Sequence, residues 1–211
     1  MIHELRTYTL RPGSAAEVMR NSGEVARPIR GDDYGTLEGY WMTDIGPLNR
    51  VMHLWSYADL NQRQRLRAAL AENQAWVNDY LPLIRPHLVR QEIRLLRPVA
   101  PLKAPAAEGN VYEFRNYRIA AGKAAEWVSH VERARAVREK YSLIVGLWIT
   151  EAPEPNEVCH IWAYDDLNAR AAARAGAAQD PEWQELLAKA MPLIEEMHST
   201  VMLPAPFSPL R

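Results

Sequence analysis

GYWMTDIGPLNRVMHLWSYADLNQR occupies residues 39–63, and GLWITEAPEPNEVCHIWAYDDLNAR occupies residues 146–170 of the same chain. The two stretches align without a gap and are identical at 12 of 25 positions. Identity in register over this length indicates an internal duplication with a period of about a hundred residues, which is the size of a small domain. The shared positions include Trp41/Trp148, Thr43/Thr150, Asn49/Asn156, His53/His160, Trp55/Trp162 and Tyr57/Tyr164.

The duplication continues on both sides of these stretches. Upstream, HELRTYTLRPG (3–13) matches YEFRNYRIAAG (112–122). Downstream, Trp76 pairs with Trp183, and LPLI pairs with MPLI after a three-residue insertion. A proline-rich segment between the copies reads as an extended linker, and a proline-rich tail is expected to lie along the surface or to fray. The predicted organisation is a first repeat at 1–97, a Pro/Ala-rich linker at 98–110, a second repeat at 111–203 and a tail at 204–211.

The composition limits the class of protein. Lys and Arg number 25 against 26 Asp and Glu, which leaves a net charge of −1 and no footprint of a nucleic-acid binder. The single cysteine, Cys159, cannot form an internal disulfide, which fits a reducing compartment. No apolar run reaches the ~18–20 residues that a membrane span needs, and the N-terminus lacks a signal-peptide pattern. We therefore expect a globular cytoplasmic protein with no nucleic-acid partner and no membrane span.

Each repeat has the predicted element order strand, helix, strand, strand, helix, strand. Alternating β-branched and aromatic residues indicate the strands. Ser14 and Glu17 have the spacing of a capping box, and Asp59, Asp166 and Asp180-Pro181 are typical of helix starts. This order is the ferredoxin-like split βαβ arrangement, so the predicted fold class is α+β.

Side chains alternate between two faces along each predicted strand. One face of each repeat carries the Glu, Arg, Tyr, His and Trp residues, and we expect the opposite face, with Met52 and Leu54, to pack under the helices. Soluble monomers rarely leave so large an aromatic face uncovered. We therefore predict that two βαββαβ repeats pack sheet to sheet as an intrachain α+β barrel. The aromatic face would then lie inside the barrel and bury Trp55, Tyr57, Trp162 and Tyr164.

Three motifs resemble those of the NIPSNAP proteins, which belong to the dimeric α+β barrel group. They are the Y/H-E-x-R-x-Y string at the start of each copy, the GYW…IGPLN…HLWSYADLNQR block and the later W…LPLI block. The resemblance covers nearly the whole chain and implies a pair of ferredoxin-like units that form an α+β barrel. It implies no settled reaction, because the barrel group includes cofactor-free monooxygenases and haem enzymes, while eukaryotic NIPSNAP members are associated with mitochondria and protein partners. Glu154-Pro155 replaces Pro47-Leu48 in the second copy, so a function tied to that loop is expected in one half only.

The candidate ligand-binding residues are polar and aromatic side chains of the strands. An arginine can hold a carboxylate or enolate oxygen, and a tyrosine can donate to an oxyanion. Burial beside an arginine disfavours the charged imidazolium, so we expect neutral histidines suited to general-base catalysis. The same residues also suit a packed core in which buried polar groups satisfy one another. The candidates are Glu4, Arg6, Tyr8, Trp41, His53, Trp55 and Tyr57 in the first repeat and Glu113, Arg115, Tyr117, Trp148, His160, Trp162 and Tyr164 in the second.

Two classes of function remain open at this point. The first is binding of a small organic ligand in the barrel interior, with cofactor-free monooxygenase-like chemistry; the second is a non-catalytic protein-interaction module. A cavity above roughly 300 Å³ into which His and Arg point would favour the first, and a filled interior would favour the second. Homo-oligomerisation is a further option for either class.

Metal and cofactor sites are not predicted. The histidines lack metal-site spacing, no glycine-rich phosphate loop is present, and a lone strand histidine seldom ligates haem iron. The arginine-rich segments at residues 63–74 and 169–180 mix both charge signs and predict solvated helices.

Overall fold

The computed structural model describes residues 1–211, and its elements follow the predicted order in both repeats. The first repeat contains β1 (Ile2–Leu10), α1 (Ala15–Asn21), α2 (Arg27–Arg30), β2 (Thr36–Ile45), β3 (Arg50–Tyr57), α3 (Leu60–Glu72), α4 (Leu81–Ile84) and β4 (Leu88–Pro98). The second contains β5 (Val111–Ile119), α5 (Ala124–Arg133), α6 (Arg135–Glu139), β6 (Leu143–Ala152), β7 (Glu157–Tyr164), α7 (Leu167–Gln179), α8 (Pro181–Ala190) and β8 (Ile194–Pro204). Two π-helical turns, Ser22–Ala26 and Trp76–Tyr80, extend the helical runs of the first repeat.

Hydrogen bonding joins the strands in the order β1-β3-β2-β8-β5-β7-β6-β4, and this sheet closes as a barrel. The pairings within each repeat are antiparallel. The predicted α+β class with two ferredoxin-like repeats is therefore confirmed. The chain divides into two compact units, which are Met1–Leu95 with Leu203–Arg211 and Leu96–Met202. No helix combines the length and the hydrophobicity that a membrane crossing requires.

Aspartate caps begin three of the helices, as predicted. Asp59, Asp166 and Asp180 each accept a hydrogen bond from a backbone N–H of the following turn, and a proline follows Asp180 as the first residue of α8. The predicted capping box at Ser14 is wrong. Its hydroxyl donates to the carbonyl oxygen of Arg11 at 2.7 Å and so satisfies no N–H of α1.

The helices of each unit cover the aromatic face of its sheet. Beneath them lie Tyr8, Trp55 and Tyr57 in the first unit, and Tyr117 and Trp162 in the second. The prediction that the helices would cover the other, smaller apolar face is wrong, because alternation sorts side chains into faces without saying which face meets the helices. The predicted burial is confirmed: the exposed fractions are at most 5% for Trp55, Tyr57, Trp162 and Tyr164.

The segments that follow β4 and β8 are held by backbone hydrogen bonds. In the first unit, the amide of Ala205 donates to the carbonyl of Tyr40, and the amide of Tyr40 donates to Oγ of Ser208, both at 2.9 Å. In the second unit, the amide of Lys103 donates to the carbonyl of Val145 at 2.9 Å. The tail is thus fixed along β2 and does not fray.

A glycine two residues before a tryptophan recurs in both second strands, and it leaves room for the indole. A Cβ at Gly39 would overlap the fully buried indole of Trp41, and one at Gly146 would overlap that of Trp148. We expect Gly39→Ala and Gly146→Ala each to lower the free energy of unfolding by ~1–3 kcal/mol through overpacking, measured by urea denaturation. In a Trp41→Phe background the cost of Gly39→Ala should shrink; an unchanged cost would contradict this account.

Candidate functional site

Each unit holds a cavity between its sheet and its own helices. The first cavity, of about 420 Å³, is lined among others by Arg6, Tyr8, Arg30, His53, Trp55 and Arg67. The second cavity, of about 290 Å³, is lined among others by Arg115, Tyr117, Arg138, His160, Trp162 and Arg174. The candidate residues on this face were predicted to look into the barrel, and that location is wrong because the helices cover them.

The structure brings together most of the predicted site residues, but not all of them. The predicted Arg and His residues line the cavities together with one tyrosine and one tryptophan of each repeat, Tyr8 and Trp55 or Tyr117 and Trp162. Glu4, Tyr57, Glu113 and Tyr164 are absent from the two linings and pair with arginines behind or beside them. Trp41 and Trp148 belong to the opposite face of the sheet, because their cross-strand partners are Met52 and Cys159 and not the histidines.

A buried carboxylate organises the arginines of the first unit. Glu4 is fully buried, and its Oε1 accepts from Nη1 of Arg6 at 2.9 Å while its Oε2 accepts from Arg63 of α3. The Nε of Arg6 donates to the hydroxyl of Tyr8 at 2.8 Å. Burial alone would raise the pKa of Glu4, but the two guanidinium groups outweigh it and lower the pKa, so the carboxylate is ionised.

Glu113 holds the equivalent place in the second unit with a different set of donors. Arg170 of α7 donates to both carboxylate oxygens, at 2.7 and 3.1 Å, and Oγ of Ser199 donates at 2.6 Å. Burial opposes ionisation here too, yet these hydrogen bonds lower the pKa of Glu113 to about 2. Arg115 lies 3.8 Å from this carboxylate, so it is held less tightly than Arg6.

Sequence reasoning missed the arginines that the helices contribute. Arg67 and Arg174 line the cavities from α3 and α7, four residues after the arginines that bind the buried glutamates. Their i, i+4 spacing, repeated in both copies, was the available signal. Arg30 and Arg138 stack on the strand tryptophans, with the guanidinium carbon 3.2 Å from the Trp55 ring centroid and 4.4 Å from that of Trp162. The segments at residues 63–74 and 169–180 are exposed or half-buried over most of their length, as predicted, but each also contributes an arginine to a cavity lining.

A tryptophan fixes the tautomer of each cavity histidine. Nε1 of Trp55 donates to Nδ1 of His53 at 2.5 Å, and Nε1 of Trp162 donates to Nδ1 of His160 at 2.6 Å. An indole N–H can only donate, so Nδ1 must be unprotonated and a neutral imidazole carries its proton on Nε2. Each histidine therefore presents an N–H donor at Nε2. The lone pair that a general base needs is on Nδ1, where it already accepts from the tryptophan.

Burial keeps both histidines neutral. Desolvation, reinforced by Arg6, lowers the pKa of His53 well below its ordinary value. Desolvation and Arg115 lower the pKa of His160 to about 3, against the smaller opposing effect of Glu113.

Three buried N–H donors of the second cavity have no acceptor in the protein. They are Nε of Arg115, Nε1 of Trp127 and Nε2 of His160. All three side chains lie around Tyr117. Its ring centroid is 4.9 Å from that of His160, 5.7 Å from that of Trp127 and 5.2 Å from the guanidinium carbon of Arg115. An unpaired buried donor costs free energy, so this cluster favours an acceptor supplied by a ligand. No three potential metal-ligating side chains come together.

The tautomer assignment is testable by NMR. Long-range ¹H–¹⁵N correlation should show His53 and His160 protonated at Nε2 only at neutral pH. Trp162→Phe should remove this constraint at His160 and leave the His53 pattern intact, because the two contacts lie in different repeats. Protonation at Nδ1 in the wild-type protein would contradict the assignment.

The lowered histidine pKa values predict a pH-dependent stability. Between pH 6.5, the ordinary value, and about 3, unfolded His160 binds a proton that the native state does not, so stability falls as the pH falls. Each such histidine contributes up to about 1.4 kcal/mol per pH unit. We expect urea unfolding to show lower stability at pH 5 than at pH 7, with a shallower slope for His160→Asn, whose Oδ1 can still accept from Trp162. Equal slopes would show that His160 is not neutral in the native state.

Comparison with known proteins identifies the family. The NIPSNAP family model matches residues 3–102 and again residues 112–209. NipSnap homolog 3B of Homo sapiens is 31% identical over 217 residues, which cover 99% of this chain and 85% of that protein. The Mus musculus homolog 3B is 30% identical over 214 residues, with coverage of 99% and 85%.

A solved structure of a monooxygenase-like protein from Lactobacillus acidophilus NCFM superimposes with a TM-score of 0.71 at 15% identity, covering 97% of this chain and 93% of that one. At this identity the likeness shows the fold alone. The two family matches and the curated relatives show more: the chain is a member of the NIPSNAP family that carries the family domain twice.

Proposed function

We propose that each repeat binds a small organic anion in the cavity between its sheet and its helices. The observation that carries this proposal is the one-sided charge of the linings. Five arginines line the first cavity and three line the second, and neither lining contains an acidic residue. Arg6 and Arg115 are paired with glutamates behind the linings, but Arg30 and Arg138 are buried against tryptophan rings, and burial lowers the pKa of both guanidinium groups. An anion in the cavity would offset the cost of burying these two cations.

The head group would be held by the strand arginine and the histidine. Arg6 and His53 share the lining of the first cavity, and Arg115 and His160 that of the second. A guanidinium supplies parallel donors that match a carboxylate, and the Nε2–H of the neutral histidine adds another. In the second cavity, Nε2 of His160 and Nε of Arg115 make no hydrogen bond within the protein, and the nearest carboxylate oxygen of Glu113 is 3.8 Å from that Nε. These two donors support an anionic oxygen at this point.

The rest of each lining would hold an apolar body. Trp55 and Leu70 belong to the first lining, and Leu147, Leu186 and Trp183 to the second. Volumes of about 420 and 290 Å³ are at the lower end of the range of small-molecule sites. A ligand with a carboxylate on an aromatic or short aliphatic body has both the charge and the size.

Binding is proposed here without a reaction. Monooxygenase-like chemistry on an enolisable substrate needs a base to take a proton. The cavity histidines present donors, and the linings contain no carboxylate that could serve instead. The alternative is a protein-interaction module. Two cavities lined by arginine and histidine, although they lie outside the barrel interior, favour ligand binding over it.

A cytoplasmic location and a homo-oligomeric state stand as further proposals. The first rests on the count of one cysteine in the chain, which leaves no internal disulfide to form. Cell fractionation and light scattering of the purified chain would test the two.

Isothermal titration with 3-phenylpropionate and its neutral amide tests the proposed function. We expect the carboxylate to bind at two sites and the amide to bind more weakly at both. Arg6→Ala and Arg115→Ala should each weaken one site by roughly ten- to a hundredfold, because each removes a hydrogen bond to a charged group. Arg67→Ala and Arg174→Ala are a second pair of variants, one for each cavity. They leave in place the hydrogen bonds that Glu4 and Glu113 accept from other residues.

Arg118→Ala is the matched control, because this arginine lies on β5 but is exposed and paired with Glu196. It should bind both probes like the wild type. Equal affinity for acid and amide, or wild-type binding by all four cavity variants, would overturn the proposal.

A further inference from the structure

The two cavities share their cationic end but differ at the other end. In the first cavity, three hydroxyl groups from three separate elements meet. Oγ of Ser22 lies 3.1 Å from the hydroxyl of Tyr40 and 3.0 Å from that of Tyr80. All three residues are buried, and all three line the cavity. We call them the hydroxyl trio.

The hydroxyl trio has one more O–H donor than its internal hydrogen bonds use. Three hydroxyl groups carry three protons, and the two hydrogen bonds within the trio use two of them. Burial raises the pKa of Tyr80 to about 12 and that of Tyr40 well above its ordinary value, so both phenols keep their protons. One O–H therefore remains for an acceptor that enters the cavity.

Tyr40 links this trio to the head-group end. Its ring stacks on the imidazole of His53, with centroids 5.1 Å apart and planes 8° apart, while its hydroxyl belongs to the trio. A ligand that reaches His53 thus lies along the same side chain that carries one of the three hydroxyls.

The second cavity has hydrocarbon at the corresponding positions. Leu147 takes the place of Tyr40, since each is the cross-strand partner of the cavity histidine. Val131 follows Gly122 at the interval at which Ser22 follows Gly13. Leu186 precedes the start of β8 at the interval at which Tyr80 precedes the start of β4. All three replacements line the second cavity.

The last strands add to this difference. Gln91 of β4 lines the first cavity, and Met197, at the same position of β8, lines the second. The 3₁₀ turns before these strands, Arg85–His87 and Met191–Leu193, contribute Arg85 to the first lining and Met191 to the second. The structure thus aligns Met191 with Arg85, and the predicted pairing of LPLI with MPLI is wrong, because LPLI forms the separate helix α4. The first cavity is therefore polar at both ends, and the second is polar at one end only.

We propose that the two cavities take different classes of anion. The first takes an anion whose apolar body carries a hydroxyl or carbonyl oxygen, which accepts from the hydroxyl trio. The second takes an anion with a plain hydrocarbon body. This inference rests on the anion binding proposed above and adds the selectivity of each half.

The test uses 3-phenylpropionate and its 2-, 3- and 4-hydroxyphenyl analogues as probes. Arg115→Ala isolates the first site and Arg6→Ala the second. At the first site, at least one hydroxylated probe should bind about tenfold more tightly than the plain one, the effect of about one buried hydrogen bond. At the second site, the plain probe should bind most tightly, because the hydroxyl would be buried against Val131, Leu147 and Leu186.

Tyr40→Phe and Tyr80→Phe in the Arg115→Ala background show whether the trio is responsible. Each removes one hydroxyl and keeps the ring. The ratio of the affinity for the hydroxylated probe to that for the plain probe should therefore fall from about ten towards one. Tyr34→Phe is the matched control, because its hydroxyl accepts from Asn73 and it is not part of the cavity lining. It should keep the full preference.

The outcomes separate the two proposals. If the probes bind at both sites with the same order of affinity, or if Tyr40→Phe and Tyr80→Phe both keep the preference, the selectivity is wrong and anion binding stands. If no probe binds at either site of the wild-type chain, both proposals are overturned.

Discussion

The buried carboxylate on the first strand of each repeat is the constraint on which the site depends. Glu4 and Glu113 are fully buried, so each must be paired to stay ionised. The pairing fastens a helix to the sheet, through Arg63 in one repeat and Arg170 in the other. The same helices then place Arg67 and Arg174 in cavity linings that contain no carboxylate. The proposed anion site thus depends on the way in which the fold pairs one buried acid.

The sequence predicted the repeat, the order of elements and the residues that share a strand face, because these follow from periodicity. It could not predict which face of the sheet the helices cover. The alternation of side chains along a strand separates the two faces but does not say which of them meets the helices. Arg30 and Arg67 were missed because they come from helices whose orientation only packing decides. The hydroxyl trio was missed because Ser22, Tyr40 and Tyr80 meet from three elements. The neutral histidine was expected. Its N–H donor at Nε2 was not, because it depends on a hydrogen bond from a tryptophan two residues further along the strand, and sequence spacing does not predict that bond.

Duplication explains why two related cavities have come to differ. The residues that fix the fold, such as the Gly-x-Trp of the second strand, are the same in both halves. The residues at the far end of the cavity differ, with Ser22, Tyr40 and Tyr80 in the first half and Val131, Leu147 and Leu186 in the second. A chain with two copies can thus keep one architecture and recognise two ligands.

The attachment of the tail to β2 bears on how the first repeat is completed. Phe207 lies over Gly23, and its ring centroid is 4.9 Å from that of Tyr40, so it forms part of the wall of the first cavity. One hydrogen bond that holds this tail runs from the backbone amide of Tyr40 to Oγ of Ser208, which is 168 positions away. During synthesis, the wall that Phe207 contributes to the first cavity can therefore form only after the second repeat has been translated. A fragment that contains the first repeat alone would lack that wall permanently.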